Sequence, residues 1–123
     1  MILTDQEQEE KSKSNHMISI EDFKKLEIKI GKIISAEKVE KSTKLLKLIV
    51  DFGNETRQIL SGIGESFDDP QILVGKQVPV LTNLEPRMIM GLESQGMILA
   101  TSSDSKVVLL HPSEEILPGS VVR

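Results

Sequence analysis

Leu26-Glu27-Ile28-Lys29-Ile30-Gly31-Lys32-Ile33-Ile34 carries the architecture in nine residues. Apolar side chains at 26, 28 and 30 alternate with Glu27 and Lys29, the period of a half-buried strand. Gly31 interrupts the run, and the adjacent pair Ile33-Ile34 shifts its phase. A mid-strand glycine with a phase shift marks a bulge or a sharp coil. Small closed barrels need strands bent in this way.

On the N-terminal side, Ser19-Ile20-Glu21-Asp22 has the form of a capping box, with Ile18 and Phe23 placed as a hydrophobic staple. A helix over 20–25 is expected there. It is too short to stand alone and should dock on a core. Residues 1–16 are polar after the first three and show no periodicity, so they read as a disordered tail or linker. The folded domain is expected to be 17–123.

On the C-terminal side, strands are expected at 45–52 (LLKLIVDF) and 56–61 (TRQILS), joined by a turn at Gly53-Asn54-Glu55. Gly62-Ile63-Gly64 should make a sharp turn. Asp68-Asp69-Pro70 should start a helical turn over 70–74 that Gly75 ends. Residues 77–82 form a further strand. Pro79 cannot donate to a ladder, which places it on an edge or at a bulge. Strands at 95–101 and 106–110 follow, joined by a Ser/Asp hairpin loop, and 112–123 reads as mostly loop. The class is all-β, a small barrel or sandwich. The element order fits a five-stranded barrel with a short N-terminal helix, a short helix between strands 3 and 4, and a C-terminal β extension.

The chain has 123 residues and no Cys, so it makes one domain without disulfides or thiolate metal sites. It has no secretory core and no run of 18 apolar residues, so a soluble, cytoplasmic protein without membrane contact is expected. Net charge is −4, but its distribution is uneven. Residues 23–50 hold eight lysines against three glutamates, a balance of +5, while 58–123 balance at −4. A basic segment on an acidic chain fits an oriented electrostatic face; solubilising lysines on exposed strands are the equal alternative. There is no Trp or Tyr and there are three Phe, so a platform for stacking single-stranded bases is not available.

Asn83-Leu84-Glu85-Pro86-Arg87, then Gly91, then Ser94-Gln95-Gly96-Met97-Ile98-Leu99-Ala100 offer no covalent chemistry. They offer a stiff turn, one guanidinium fork, small amides and hydroxyls, and glycines that allow close approach. Arg87 matches phosphate geometry. Asn83 could contact phosphate or ribose, or cap its own turn while Arg87 pairs with a local Glu. Met97 should fill the core, while Met88 and Met90 should be partly exposed. His16 and His111 lack the partners of a metal site, and neither metal nor cofactor is expected.

These segments resemble a known family. Ile18-Ser19-Ile20-Glu21-Asp22-Phe23, Ile28-Lys29-Ile30-Gly31-Lys32-Ile33, Lys44-Leu45-Leu46-Lys47-Leu48, Ser61-Gly62-Ile63, Leu73-Val74-Gly75-Lys76 and the two segments quoted above stand in the order and spacing of one domain. It is the tRNA-binding domain found at the C-terminus of methionyl-tRNA synthetases and as their separate beta subunit. The resemblance implies an oligonucleotide/oligosaccharide-binding (OB) barrel with a C-terminal β extension. It implies a non-catalytic homodimer, associated with the catalytic part of the synthetase, that holds tRNA by shape. Under it the RNA contacts are Lys32, Lys44, Lys47, Ser61, Asn83, Arg87, Ser94 and Gln95. Two departures stand out. Glu40-Lys41-Ser42-Thr43 replaces a His-Pro-x-Ala-Asp segment of related branches, and Met88-Ile89-Met90 stands where relatives often place basic residues. The rival reading is a protein-binding module, either a secretion-chaperone-like dimer or a docking domain in a synthetase complex. It is motivated by the net negative charge and by Met88 and Met90.

Overall fold

Ser19 caps the first element, and residues 16–123 are those that the computed structural model describes. The expected tail over 1–16 lies outside the described residues apart from His16. The capping box is present. The Asp22 N–H donates to Ser19 Oγ at 3.1 Å, and the Ser19 N–H donates to Asp22 Oδ2 at 3.5 Å. The helix α1 (Ile20–Phe23) is shorter than expected and buries none of its residues, so it is not docked on the core. Its cap and the exposed pairs Lys24–Glu21 (3.6 Å) and Lys25–Asp22 (3.4 Å) supply its local support.

Nine strands follow: β1 (Ile28–Lys38), β2 (Leu46–Asp51), β3 (Thr56–Ser61), β4 (Gln77–Leu81), β5 (Arg87–Ile89), β6 (Leu92–Ser94), β7 (Met97–Ile98), β8 (Ala100–Ser103) and β9 (Lys106–Leu109). Five of them form one antiparallel sheet in the order β3-β2-β1-β4-β7. The helical turn expected over 70–74 is a 3₁₀ turn, Pro70–Leu73, between β3 and β4. Asp69 Oδ1 accepts from the Gln71 N–H at 3.0 Å, and Gly75 ends the turn at φ +92°. This strand order, curled so that β7 approaches β3, is an OB barrel, as expected. Its interior holds Ile33, Leu46, Leu48, Val50, Ile59, Leu73, Val78 and Val80, all essentially inaccessible.

The bending of β1 divides into two parts. Lys29 and Gly31 lie opposite Val80 and Val78 of the core, while Ile28 and Ile30 lie opposite Leu81 and Pro79. Directly paired residues share a face. Ile28 and Ile30 are therefore buried on the outer side of the barrel wall, and Gly31 and Ile33 point inward. The alternation that identified the strand was correct, but the interior is served by the other parity. The bulge lies at Ile34, where the register with β2 slips between Ile33 and Ser35. Gly31 acts through contact: a Cβ there would collide with Val50 Cγ1 and the Phe52 ring.

Three other expectations need correction. Pro79 sits in an interior strand. Its partner Ile30 sends its N–H to the Ser120 carbonyl (2.8 Å) and accepts from the Gly119 N–H (2.7 Å), so this pair needs no donor from Pro79. Those bonds, with the Val122 N–H on the Ile28 carbonyl (2.8 Å), make 119–122 a strap along β1 within a segment read as loop. Met97 is 42% exposed, because it pairs with Leu81 on the outer face. Finally, the run 95–101 breaks at Leu99 into β7 and β8. The β8–β9 hairpin turns at Asp104-Ser105, both at positive φ.

Gly31→Ala should lower stability by roughly 1–3 kcal/mol through overpacking. Urea unfolding should show a lower midpoint at unchanged slope. An unchanged midpoint would mean that β1 does not approach Val50 and Phe52 this closely.

Candidate nucleic-acid interface

A curled sheet is left with an edge, and here the outer edge of β3 is met by side chains. The Leu60 N–H donates to Ser94 Oγ at 3.0 Å, and the Gln58 N–H donates to Gln95 Oε1 at 3.0 Å. The Gln95 N–H donates back to the Gln58 carbonyl at 2.9 Å, and Gln58 Nε2 reaches the Glu93 carbonyl at 2.8 Å. Ser94 is buried, and its hydroxyl also donates to the Gly96 carbonyl at 3.2 Å. Ser94 and Gln95, two residues expected to face RNA, thus complete the barrel wall. Gln95 Nε2 keeps no partner among the described residues.

Two further residues brace this closure. Arg57 Nη1 donates to the carbonyls of Thr82 (2.6 Å) and Gln95 (3.2 Å), and Nη2 to Glu55 Oε2 (3.1 Å). Its guanidinium carbon stands 6.0 Å from the Phe52 ring centroid, within cation–π range. Asn83 neither caps its own turn nor projects its amide freely. Its Oδ1 accepts from the Glu27 N–H (2.8 Å) and its Nδ2 donates to the Lys25 carbonyl (2.7 Å), tying the β4–β5 turn to the start of β1. Arg57 was not singled out from sequence, because the two carbonyls it braces lie 25 and 38 residues away along the chain.

The closure carries an arm. β5 and β6 pair as a hairpin, Arg87 opposite Ser94 and Ile89 opposite Leu92. Met90 and Gly91 at φ +52° and +81° form its two-residue turn, a geometry that favours Asn-Gly or Asp-Gly. Methionine in the first position hid this hairpin from the sequence reading. Met88 and Met90 are exposed, as expected. The Arg87 side chain is exposed and makes no hydrogen bond or ion pair among the described residues, so the local pairing with Glu does not occur. Across from the arm tip, Met90 and Leu92 share a groove of about 350 Å³ with Lys38, Val39 and Lys47.

The lysine-rich segment reaches this groove in part. Lys47 stands 3.9 Å from Glu37 in an open pair. Such a pair is worth little in water and yields readily to a stronger anion. Lys38, Lys41 and Lys44 flank the β1–β2 loop without an ion pair among the described residues. The Lys44 backbone is held, its N–H on Ser42 Oγ (3.3 Å) and its carbonyl accepting from the Gly64 N–H (2.6 Å), while its side chain is free. A Cβ at Gly64 would press to 2.7 Å from that carbonyl, which explains the glycine in the Gly62-Ile63-Gly64 turn. Ser61 lies half-buried opposite Leu46. Lys32 is not brought to the groove; it pairs with Glu115 at 3.7 Å beside a separate hollow. Glu37 and Glu40 also line the groove, and Glu93 faces Met88 across the arm, so the interface is basic in clusters and mixed in sum.

Exposed cations beside an open groove suit binding of an anion. His111 Nδ1 lies 2.8 Å from the Gln77 carbonyl, and among the described residues no three His, Asp or Glu gather as metal ligands. The family model described as "Putative tRNA binding domain" matches residues 28–121. The chain belongs to the tRNA-binding domain family. Among relatives of this tRNA-binding domain, the methionine–tRNA ligase of Archaeoglobus fulgidus is 56% identical over 113 residues, covering 92% of this chain and 17% of the ligase. The chain therefore spans about a sixth of the length of that relative. A methionyl-tRNA synthetase-related protein of Pyrococcus horikoshii superposes with a TM-score of 0.83 at 38% identity, over 89% of this chain and 100% of that one. The chaperone CsaA of Bacillus anthracis superposes at 0.79 and 28% identity, over 88% and 100%. Among the described residues, no helix is long and apolar enough to cross a membrane.

Ser94→Ala would leave the Leu60 N–H and the Gly96 carbonyl without their partner inside the wall, a loss of about 1–3 kcal/mol. Thermal unfolding followed by circular dichroism should show a lower midpoint. A midpoint equal to the parent's would remove Ser94 from the closure.

Proposed function

We propose that this chain is a non-catalytic tRNA-holding module acting in the cytoplasm beside the catalytic part of a methionyl-tRNA synthetase. Family membership supports the class of ligand. The observation that supports the reading most directly is the groove under the tip of the β5–β6 arm, lined by Lys38 and Lys47, with Arg87 exposed on the arm and Lys41 and Lys44 exposed on the β1–β2 loop, and with Lys38, Lys41, Lys44 and Arg87 free of ion pairs among the described residues. Such groups bind a polyanion by releasing its counterions. Without Trp or Tyr, recognition rests on backbone shape and phosphate position instead of unstacked bases. Lys47 adds a phosphate contact once its open pair with Glu37 yields. The hydroxyl of Ser61 and Nε2 of Gln95 remain for sugar or phosphate oxygens, while Ser94 and Asn83 contribute by holding the wall and the arm. Lys32 belongs to the same surface only if the RNA extends past the groove.

The module works as a homodimer in this reading. Ile18, Ile20, Leu117 and Val121 are exposed apolar side chains near the start of β1 and its C-terminal strap, and pairing two copies would cover them. Two copies double the RNA-facing surface, and attachment to a synthetase raises its effective concentration at tRNA. The likeness to CsaA favours one second reading, a protein-binding module. Competition separates them: unfolded polypeptide that displaces bound tRNA, and binds more tightly than it, would favour the second.

Arg87→Ala should weaken binding of folded tRNA at low salt and reduce the slope of log K against log salt by about one. Gel-shift titrations at a series of salt concentrations measure both. Equal affinity and equal slope in variant and parent would take Arg87 out of the interface.

A further inference from the structure

A second hollow shares no lining residue with the groove under the arm. The β8–β9 hairpin stands away from the barrel, with every residue of β8 exposed. The Val107 N–H on Ser66 Oγ, a long bond of 3.4 Å, and the buried Leu109 fasten β9 to the body. Beneath β9 is a hollow of about 330 Å³. Its floor is apolar, made by Leu73, Leu109, Phe67 and Val107, the last two partly buried against the core. Its rim carries two ammonium groups, those of Lys76 and Lys106. Lys76, Lys106 and His111 line it, no carboxylate does, and neither lysine makes an ion pair among the described residues. Glu65 and Asp68 adjoin Ser66 and Phe67 in the chain without lining the hollow, and Glu114 and Glu115 line the adjoining one, where Glu115 pairs with Lys32.

We propose that this hollow binds a small amphiphilic anion, an apolar ring or short alkyl chain carrying one carboxylate. The argument is charge complementarity together with size. An apolar floor rewards desolvation of the ligand body. Two unpaired ammonium groups at the rim favour an anionic head over a neutral one, and the volume lies at the lower end for ligand pockets. Ser66, whose hydroxyl accepts from Val107, and His111, fixed through Nδ1 to the Gln77 carbonyl, present further polar atoms at the rim.

The test is a titration of the full 123-residue chain with hexanoate, followed by amide chemical shifts in two-dimensional NMR. Acetate supplies the head without the body, and 1-hexanol the body without the head. The expected result is a saturable shift centred on Phe67, Val107 and Val108. Affinity should be at least tenfold lower for acetate and for 1-hexanol, and at least tenfold lower for hexanoate in Lys106→Glu. Lys106 is exposed, so this variant should keep the parent's spectrum elsewhere; Lys76→Glu is the second variant and should behave alike. The proposal is overturned if 1-hexanol binds as well as hexanoate, if the shifts centre on other residues, if no saturation occurs, or if both charge reversals leave affinity unchanged.

Discussion

Closure of the barrel between β3 and the segment before β7 is the constraint on which the rest depends. β7 is two residues long, too short to satisfy the edge of β3 by a backbone ladder. The N–H groups of Gln58 and Leu60 would otherwise remain unpaired in a largely buried wall, where each orphaned donor is costly. Gln95 Oε1 and Ser94 Oγ take the place of missing carbonyls. Arg57 then fastens the same corner from inside, joining β3, the end of β4 and the residue before Gly96. The Ser94-Gln95-Gly96 segment is therefore a structural joint. Its glycine, at φ +153°, adopts a conformation side chains rarely take, and a Cβ there would crowd the Leu81 carbonyl oxygen at 3.1 Å.

Function follows from what the joint holds out. β6 ends at Ser94 and so runs directly into it, and Arg87 lies on β5 opposite Ser94. Asn83 secures the other root of the arm. On the facing side, Gly64 clasps the Lys44 carbonyl and sets the β1–β2 loop. Lys38 and Lys47 thus line the groove under the arm tip, while Arg87 and Lys44 stand exposed on backbone held from elsewhere in the fold. This division suits recognition of a preformed polyanion: the backbone supplies position, long side chains adapt to phosphate spacing, and little ordering cost falls on the protein itself.

Much of the barrel was legible in the sequence, because period-two alternation and turn residues are local signals. β2, β3, β4 and the capped 3₁₀ turn at Pro70 emerged near their true bounds. What escaped was either non-local or chemically atypical. The roles of Ser94, Gln95, Asn83 and Arg57 depend on partners 25 to 58 residues distant, which no window of sequence displays. The β5–β6 hairpin escaped because its strands are three residues long and its turn begins with methionine. Alternation in Leu26–Ile30 revealed a strand but not which parity faced inward, since Gly31 and the bulge at Ile34 each redirect the wall. For the site, Arg87 and Lys44 were found as exposed cations, Lys47 as a partly exposed one in an open pair with Glu37, and Lys32 fell outside the groove.

Amide hydrogen exchange of the chain, free and saturated with folded tRNA, tests the central claim most directly: the Ser94-Gln95 joint is scaffold, and the arm and loop it positions meet the RNA. The amides of Gln58, Leu60 and Gln95 should already exchange slowly in the free protein and change little on binding, while those of 87–92 and 39–44 should slow when tRNA is added. Fast exchange at Gln58 and Leu60 in the free protein, with tRNA slowing them and leaving the arm and loop untouched, would contradict the account.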